Sequence, residues 1–187
     1  TNGTATSSYG LGWGTGTWNQ GAWGTPRSSS TLVLDATYWS FDTFGEDLLA
    51  IRNDGALYKW DLSAGVATPA ALVSTSPTAS KFLLVPLLTD YIFILTETTV
   101  GQTNTQDDLF LRFSSQENPS LWAPASTNTA GSFRIQDGSK IVTAVRSRGS
   151  ILIWTDTSMH SLQFIGAPFV FGLTQLAANC GAVSAHW

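Results

Sequence analysis

Residues 138–166, GSKIVTAVRSRGSILIWTDTSMHSLQFIG, decide how this chain is read. They hold three apolar runs, Ile141-Val142 with Ala144-Val145, Ile151-Leu152-Ile153-Trp154, and Leu162-Gln163-Phe164-Ile165, with polar breaks at 146–150 and 156–158. Each run has strand length and is rich in β-branched and aromatic residues. No window sustains a helical i, i+3, i+4, i+7 pattern. The spacing predicts an antiparallel three-stranded meander, which is too small to be stable alone and must pack on neighbours of its own kind.

Residues 37–61 repeat the construction, with a strand ending near Phe41, a second over 47–52 and a third over 56–60, preceded by the strand-like Leu32-Val33-Leu34. Asp54-Gly55 between apolar runs is a hairpin signal, because both residues tolerate the positive φ of a tight turn. A third unit spans 81–113 (KFLLVPLL, YIFILTE, LFLRFS), with 98–108 read as a long exposed loop. Aligned on 48–51, 92–95 and 151–154, the units have no fixed period; the extra length falls in the loops 98–108 and 117–132. A repeat of roughly 40 to 50 residues built from three or four strands is the spacing of a β-propeller blade, with a β-sandwich as the alternative. The expectation is an all-β chain of antiparallel meanders over about 32–62, 82–113 and 141–165, with no helix longer than two turns. Residues 1–31 read as an N-terminal arm and 32–187 as a propeller-like domain. The start at Thr1 without Met, and the end at Trp187 soon after the strand-like 169–176, suggest an excerpt of a longer polypeptide.

The chain has 187 residues, enough to bury a sizeable core. Charged residues make up 12%, aromatics another 12%, and eight residues are Trp. So few charges leave the surface to Ser, Thr, Asn, Gln and Gly, a composition more usual in extracellular or assembly proteins than in cytosolic enzymes. The net charge is −4 and no basic run occurs, which disfavours a direct grip on nucleic acid. The one cysteine, Cys180, excludes an internal disulfide framework and reads as a small buried hydrophobe. No apolar run approaches the roughly 20 residues of a membrane span, and no signal peptide is visible.

In the arm, Trp13, Trp18 and Trp23 recur every five residues among glycines, a period of neither strand nor helix. Stacking of these indoles on sugar rings competes with anchoring of the arm to its own domain or to a neighbouring subunit. Anchoring is favoured, since exposed Trp is costly and the segment has no other means of becoming ordered. Residues 63–80 read as a connector. Within 114–136, two prolines flank Leu121-Trp122, which reads as a plug at a junction between units.

The raw materials for catalysis are sparse. Of the two histidines, His160 and His186, neither has a metal-ligand partner at the required spacing, and His160 reads as solvent-exposed. The acids, among them Asp42, Asp47, Asp61, Asp107 and Asp156, read as caps of backbone N–H groups at turns and strand ends. The Ser-x-Asp-x-Gly-x-Thr-Trp boxes of sialidases, a Gly-x-Ser-x-Gly elbow and a Gly-x-x-x-x-Gly-Lys loop are all absent. No catalytic, cofactor or metal residue is assigned and no enzymatic activity is expected. A propeller glycosidase ranks third among the readings, because carboxylates from several blades can serve that chemistry.

Residues 41–50 (FDTFGEDLLA) with 54–61 (DGALYKWD) resemble a group of tail-associated structural proteins of tailed bacteriophages. The similarity continues through Arg112-Phe113-Ser114, Asn118-Pro119 with Trp122, 128–131, Asp137-Gly138, 151–156 and 177–181, covering most of 37–181. The resemblance implies a β-propeller-containing protein of the tail nozzle, hub or DNA-stabilising kind, present as a ring of copies below the portal. Its implied partners are further copies, portal or adaptor and other tail proteins, and DNA passing through unbound. It implies location in the virion and carries over no catalytic residue or cofactor. The rival is a lectin-like propeller, since Asp54-Gly55-Ala56-Leu57-Tyr58 also resembles the Asp-Gly-x-Leu-Tyr hairpins of sugar-binding propellers; that motif occurs once here.

Overall fold

The computed structural model describes residues 38–86, 91–97, 100, 105–166 and 168–184, with only the backbone at 94–97. The arm with Trp13, Trp18 and Trp23, the run Leu32-Val33-Leu34, and His186 lie outside the described residues. The chain divides into a unit Thr1–Thr37 and a unit Tyr38–Trp187, and the described residues all belong to the second.

The described residues are all-β, with a three-residue 3-10 turn at Leu62–Ala64. The strands are β1 (Trp39–Phe44), β2 (Asp47–Arg52), β3 (Leu57–Trp60), β4 (Ala71–Leu72), β5 (Phe82–Leu84), β6 (Phe93–Glu97), β7 (Gln106–Phe113), β8 (Gly131–Arg134), β9 (Ile141–Ser147), β10 (Ser150–Thr155), β11 (Ser158–Phe164) and β12 (Phe171–Ala178). They form three four-stranded antiparallel sheets, β1 to β4, β5 to β8 and β9 to β12, each a meander in chain order. Each unit has four strands; β12 covers the strand-like 169–176 of the sequence, whereas β4 and β8 are additional to the strands expected. The connector at 63–80 contains β4, β7 begins inside the expected 98–108 loop, and β8 begins before the 117–132 loop ends. β4 and β8 are held by ladder hydrogen bonds to a neighbour rather than by an apolar run of their own.

The period of two in the middle sheet assigns its side chains to two cores. Leu83 and Val85 join Ile92, Trp122 and the first sheet's Leu49, Ile51 and Leu57. Leu84, Phe93, Leu111 and Phe113 point the other way and join Ile151, Ile153, Leu162 and Phe171 of the third sheet. Phe171 meets Phe93 and Phe113 edge-on, with centroids 5.0 and 5.1 Å apart, the arrangement ring quadrupoles favour. Trp122 fills the first junction as the sequence suggests, whereas Leu121 beside it is exposed. The indole Nε1 donates to the Pro119 carbonyl at 2.7 Å, and the Trp122 carbonyl accepts from buried Arg112 Nη1 at 3.1 Å.

The 53–55 turn differs from the expectation. Gly55 N donates to the Arg52 carbonyl at 2.8 Å, which puts Asn53 and Asp54 at the centre, and Asp54 takes the positive φ, +56°. Gly55 is required for space, since a Cβ there would lie 2.9 Å from the Arg52 carbonyl oxygen. At the far end, residues 180–182 strap the β10–β11 turn, with Cys180 N and Ala182 N donating to the Thr157 and Thr155 carbonyls at 3.0 Å. The strap passes so close that a Cβ on Gly181 would sit 1.9 Å from the Asp156 carbonyl oxygen.

Candidate functional site

The first strands of the three sheets lie in a row, with β5 in contact with both β1 and β9. Polar side chains stitch this row together. Ser40 Oγ donates to the Leu83 carbonyl and accepts from Leu83 N, both at 3.3 Å. One strand repeat further on, Asp42 Oδ2 accepts from Val85 N at 2.7 Å, while Oδ1 accepts from Thr43 N at 2.9 Å and Arg146 Nη2 at 2.8 Å. Asp42 is buried in the middle of β1, not at a turn or strand end as its sequence context suggests. A buried carboxylate is tolerated only with its charge and lone pairs satisfied, and here β1 itself, the extension of β5 and β9 each supply a donor.

Each end of the stack has an outward sheet face. In the first sheet, the register places Phe41, Ala50, Tyr58 and Leu72 on one line, with Trp39 and Arg52 on one side of it and Thr43, Leu48 and Trp60 on the other. This is the face opposite Leu49, Ile51 and Leu57. Trp39 is 44% exposed, Phe41 60% and Leu72 53%, and the two rings stack with centroids 6.0 Å apart. The outward face of the third sheet aligns Val145, Leu152 and Ser161, then Thr143, Trp154 and Met159. Val145 is half exposed there, and Leu152, Trp154 and Met159 are half-buried.

His160, expected in solvent, is buried. Its Nε2 lies 2.9 Å from Ser158 Oγ, which in turn lies 2.8 Å from Thr155 Oγ1. Burial pushes the imidazole pKa down, against the opposing field of Asp137. A serine beside a histidine is the geometry of an activated nucleophile, but Ser158 is fully buried, which leaves no access for a reacting carbonyl. The polar residues around the pair, Ser-x-His after Thr-x-x, suggest exposure in the sequence; the network satisfies them internally instead.

The remaining acids largely cap backbone groups as expected. Asp61 accepts from Ser63 N at 2.8 Å and Asp156 from Ser139 N at 2.8 Å. The serine hydroxyl and amide hold each of these carboxyls below the usual range. Asp107 and Asp108, in β7 rather than a loop, pair with Arg134 at 2.7 Å and Lys81 at 2.6 Å. Asp54 Oδ1 accepts from Gln106 Nε2 at 3.1 Å, and Gly55 bridges to Ser80, so the first hairpin turn is tied to the entry of the second sheet. Cys180, read as buried, is exposed. Among the described residues no group of three His, Cys, Asp or Glu could hold a metal ion, and no helix is long and apolar enough to cross a membrane. Comparison with protein-family models gives no match, and comparison with curated proteins gives none.

Proposed function

We propose that this chain is a structural component of a bacteriophage tail, a nozzle or hub ring element contributing propeller blades to the DNA conduit below the portal. The carrying observation is the stack itself: three successive four-stranded meanders whose first strands lie in one row and whose two ends present apolar faces. Wedge-like meanders set around an axis by their first strands are how a propeller is built, and contiguous exposed apolar faces mark surfaces meant to be covered. Copies of the chain and other tail proteins are the proposed partners. A net charge of −4 suits a wall past which DNA slides, because Lys and Arg facing the lumen would hold phosphates by counterion release.

Electron cryomicroscopy of the native particle tests this reading. Several copies around a central channel are expected; a closed monomeric propeller free of any ring or virion would overturn it. The exposed stack of Trp39 on Phe41 gives the lectin-like alternative its own observation, since aromatic faces stack on sugar rings. A glycan array with saturable binding lost in Trp39→Ala, or in Trp13→Ala, Trp18→Ala or Trp23→Ala, would select that alternative.

A further inference from the structure

A cleft of about 450 Å³ opens where the β9–β10 turn meets the end of the second core. Its floor is apolar, made by Ile151, Leu162, Phe164 and Phe171, and its rim carries Arg146 and Arg148. That volume falls within the usual range of small-molecule sites, and an apolar floor with a few fixed polar groups is their usual chemistry.

The two guanidinium groups differ in a way that selects the ligand. Arg146 is held at 2.8 Å by Asp42, which is buried and anchored by backbone amides, so this guanidinium is fixed before any ligand arrives. It gives Nη2 to Asp42, and its side chain remains 37% exposed at the rim. Arg148 is exposed and has no ion-pair or hydrogen-bond partner among the described residues. No described carboxylate lines the cleft itself. Among the described residues, and counting Asp42, the mouth carries one net positive charge on a chain whose net charge is −4. One uncompensated charge beside a preorganised planar fork matches a single carboxylate better than a dianion.

We propose that this cleft binds a medium-chain monocarboxylate, with its carboxylate at Arg148 and Arg146 and its hydrocarbon chain over Phe164, Phe171, Leu162 and Ile151. The site is independent of the assembly faces, since those residues lie on the side of the third sheet that faces the second.

Isothermal titration of the full chain with decanoate, and separately with decanol, tests the assignment. Saturable one-to-one binding of decanoate is expected, with decanol about tenfold weaker or worse, the discrimination one charge-assisted contact supplies. Arg148→Gln touches no partner, leaves the fold intact and should weaken decanoate by a similar factor; Phe164→Ser should weaken both ligands. Trp39→Ser with Phe41→Ser, on the outward face of the first sheet, should change neither. Absence of saturable binding, equal affinity for decanol, or indifference to Arg148→Gln would overturn the proposal. Displacement of decanoate by inorganic phosphate at equal concentration would overturn it too, by showing a general anion site.

Discussion

The middle sheet and the first sheet are built alike, yet burial treats them oppositely. Phe93 and Phe113 in the middle sheet are 2% and 4% exposed, whereas Phe41 and Trp39 in the first are 60% and 44% exposed. Both are four-stranded antiparallel meanders that carry aromatic residues, so position in the stack decides the difference. A sheet with neighbours on both sides fills two cores, and an end sheet fills one. Apolar residues on an end face contribute little until another surface covers them.

The sharpest way to break this comparison is to truncate one ring on each sheet. Phe113→Ala removes a side chain in contact with Tyr91, Phe93, Phe133 and Phe171, and should cost about 3–5 kcal/mol in denaturant unfolding. Phe41→Ala should cost the isolated chain less than about 1 kcal/mol. Its larger effect should be on assembly, read as loss of higher-order species in sedimentation velocity. Equal losses of stability at the two positions would show that the outward face is already covered.

A smaller effect separates the roles of the two Asp42 oxygens in the first-strand row. Asp42→Ala leaves Val85 N without its acceptor inside the stack and should cost about 2–3 kcal/mol. Asp42→Asn keeps one oxygen for Val85 N but turns an amide NH2 toward Thr43 N and Arg146 Nη2, so it loses the ion pair and one backbone acceptor, and an intermediate cost of about 1–2 kcal/mol is expected. If Asn costs as much as Ala, the contacts of Oδ1 with Thr43 N and Arg146 rather than the acceptor offered to Val85 N hold the row together.

The same contrast explains what the sequence could reveal. Strands β2, β3, β9, β10 and β11 are legible because alternation and turn residues are local signals, and Trp122 as a plug follows from an indole between prolines. The fourth strands of the first two sheets are not legible: Ala71-Leu72 and Gly131-Ser132-Phe133-Arg134 have no pattern of their own and form on the edge offered by β3 or β7. The Asp42–Arg146 bond joins residues 104 positions apart, so no spacing rule reaches it. His160 and Cys180 depart from expectation for one reason: polar neighbours do not guarantee exposure, and apolar character does not guarantee burial. The Thr155–Ser158–His160 network encloses the histidine, and the edge position of the 180–182 strap leaves the cysteine outside.

The smallest predicted effect lies in that network and depends on pH. His160 has its pKa lowered from 6.5, chiefly by burial, so the folded state prefers the neutral ring while the unfolded chain takes up a proton near the ordinary value. Between the folded and unfolded pKa values the unfolded state binds more protons. Stability should therefore be full above about pH 7, fall as pH drops through 6.5, and level off once the folded state is protonated as well. Thermal unfolding followed from about pH 7.5 to about pH 5 should show this slope, and His160→Gln, which removes the titrating group, should flatten it even if that variant is less stable throughout. Asp61, Asp107 and Asp156, with carboxyls held below 3.8, act only further into acid and do not confuse the window. The outward faces carry no such buried base among the described residues, so self-assembly measured over the same range should change less than unfolding does. If assembly follows the pH 6.5 transition while unfolding does not, the histidine is acting at an interface rather than inside the third sheet.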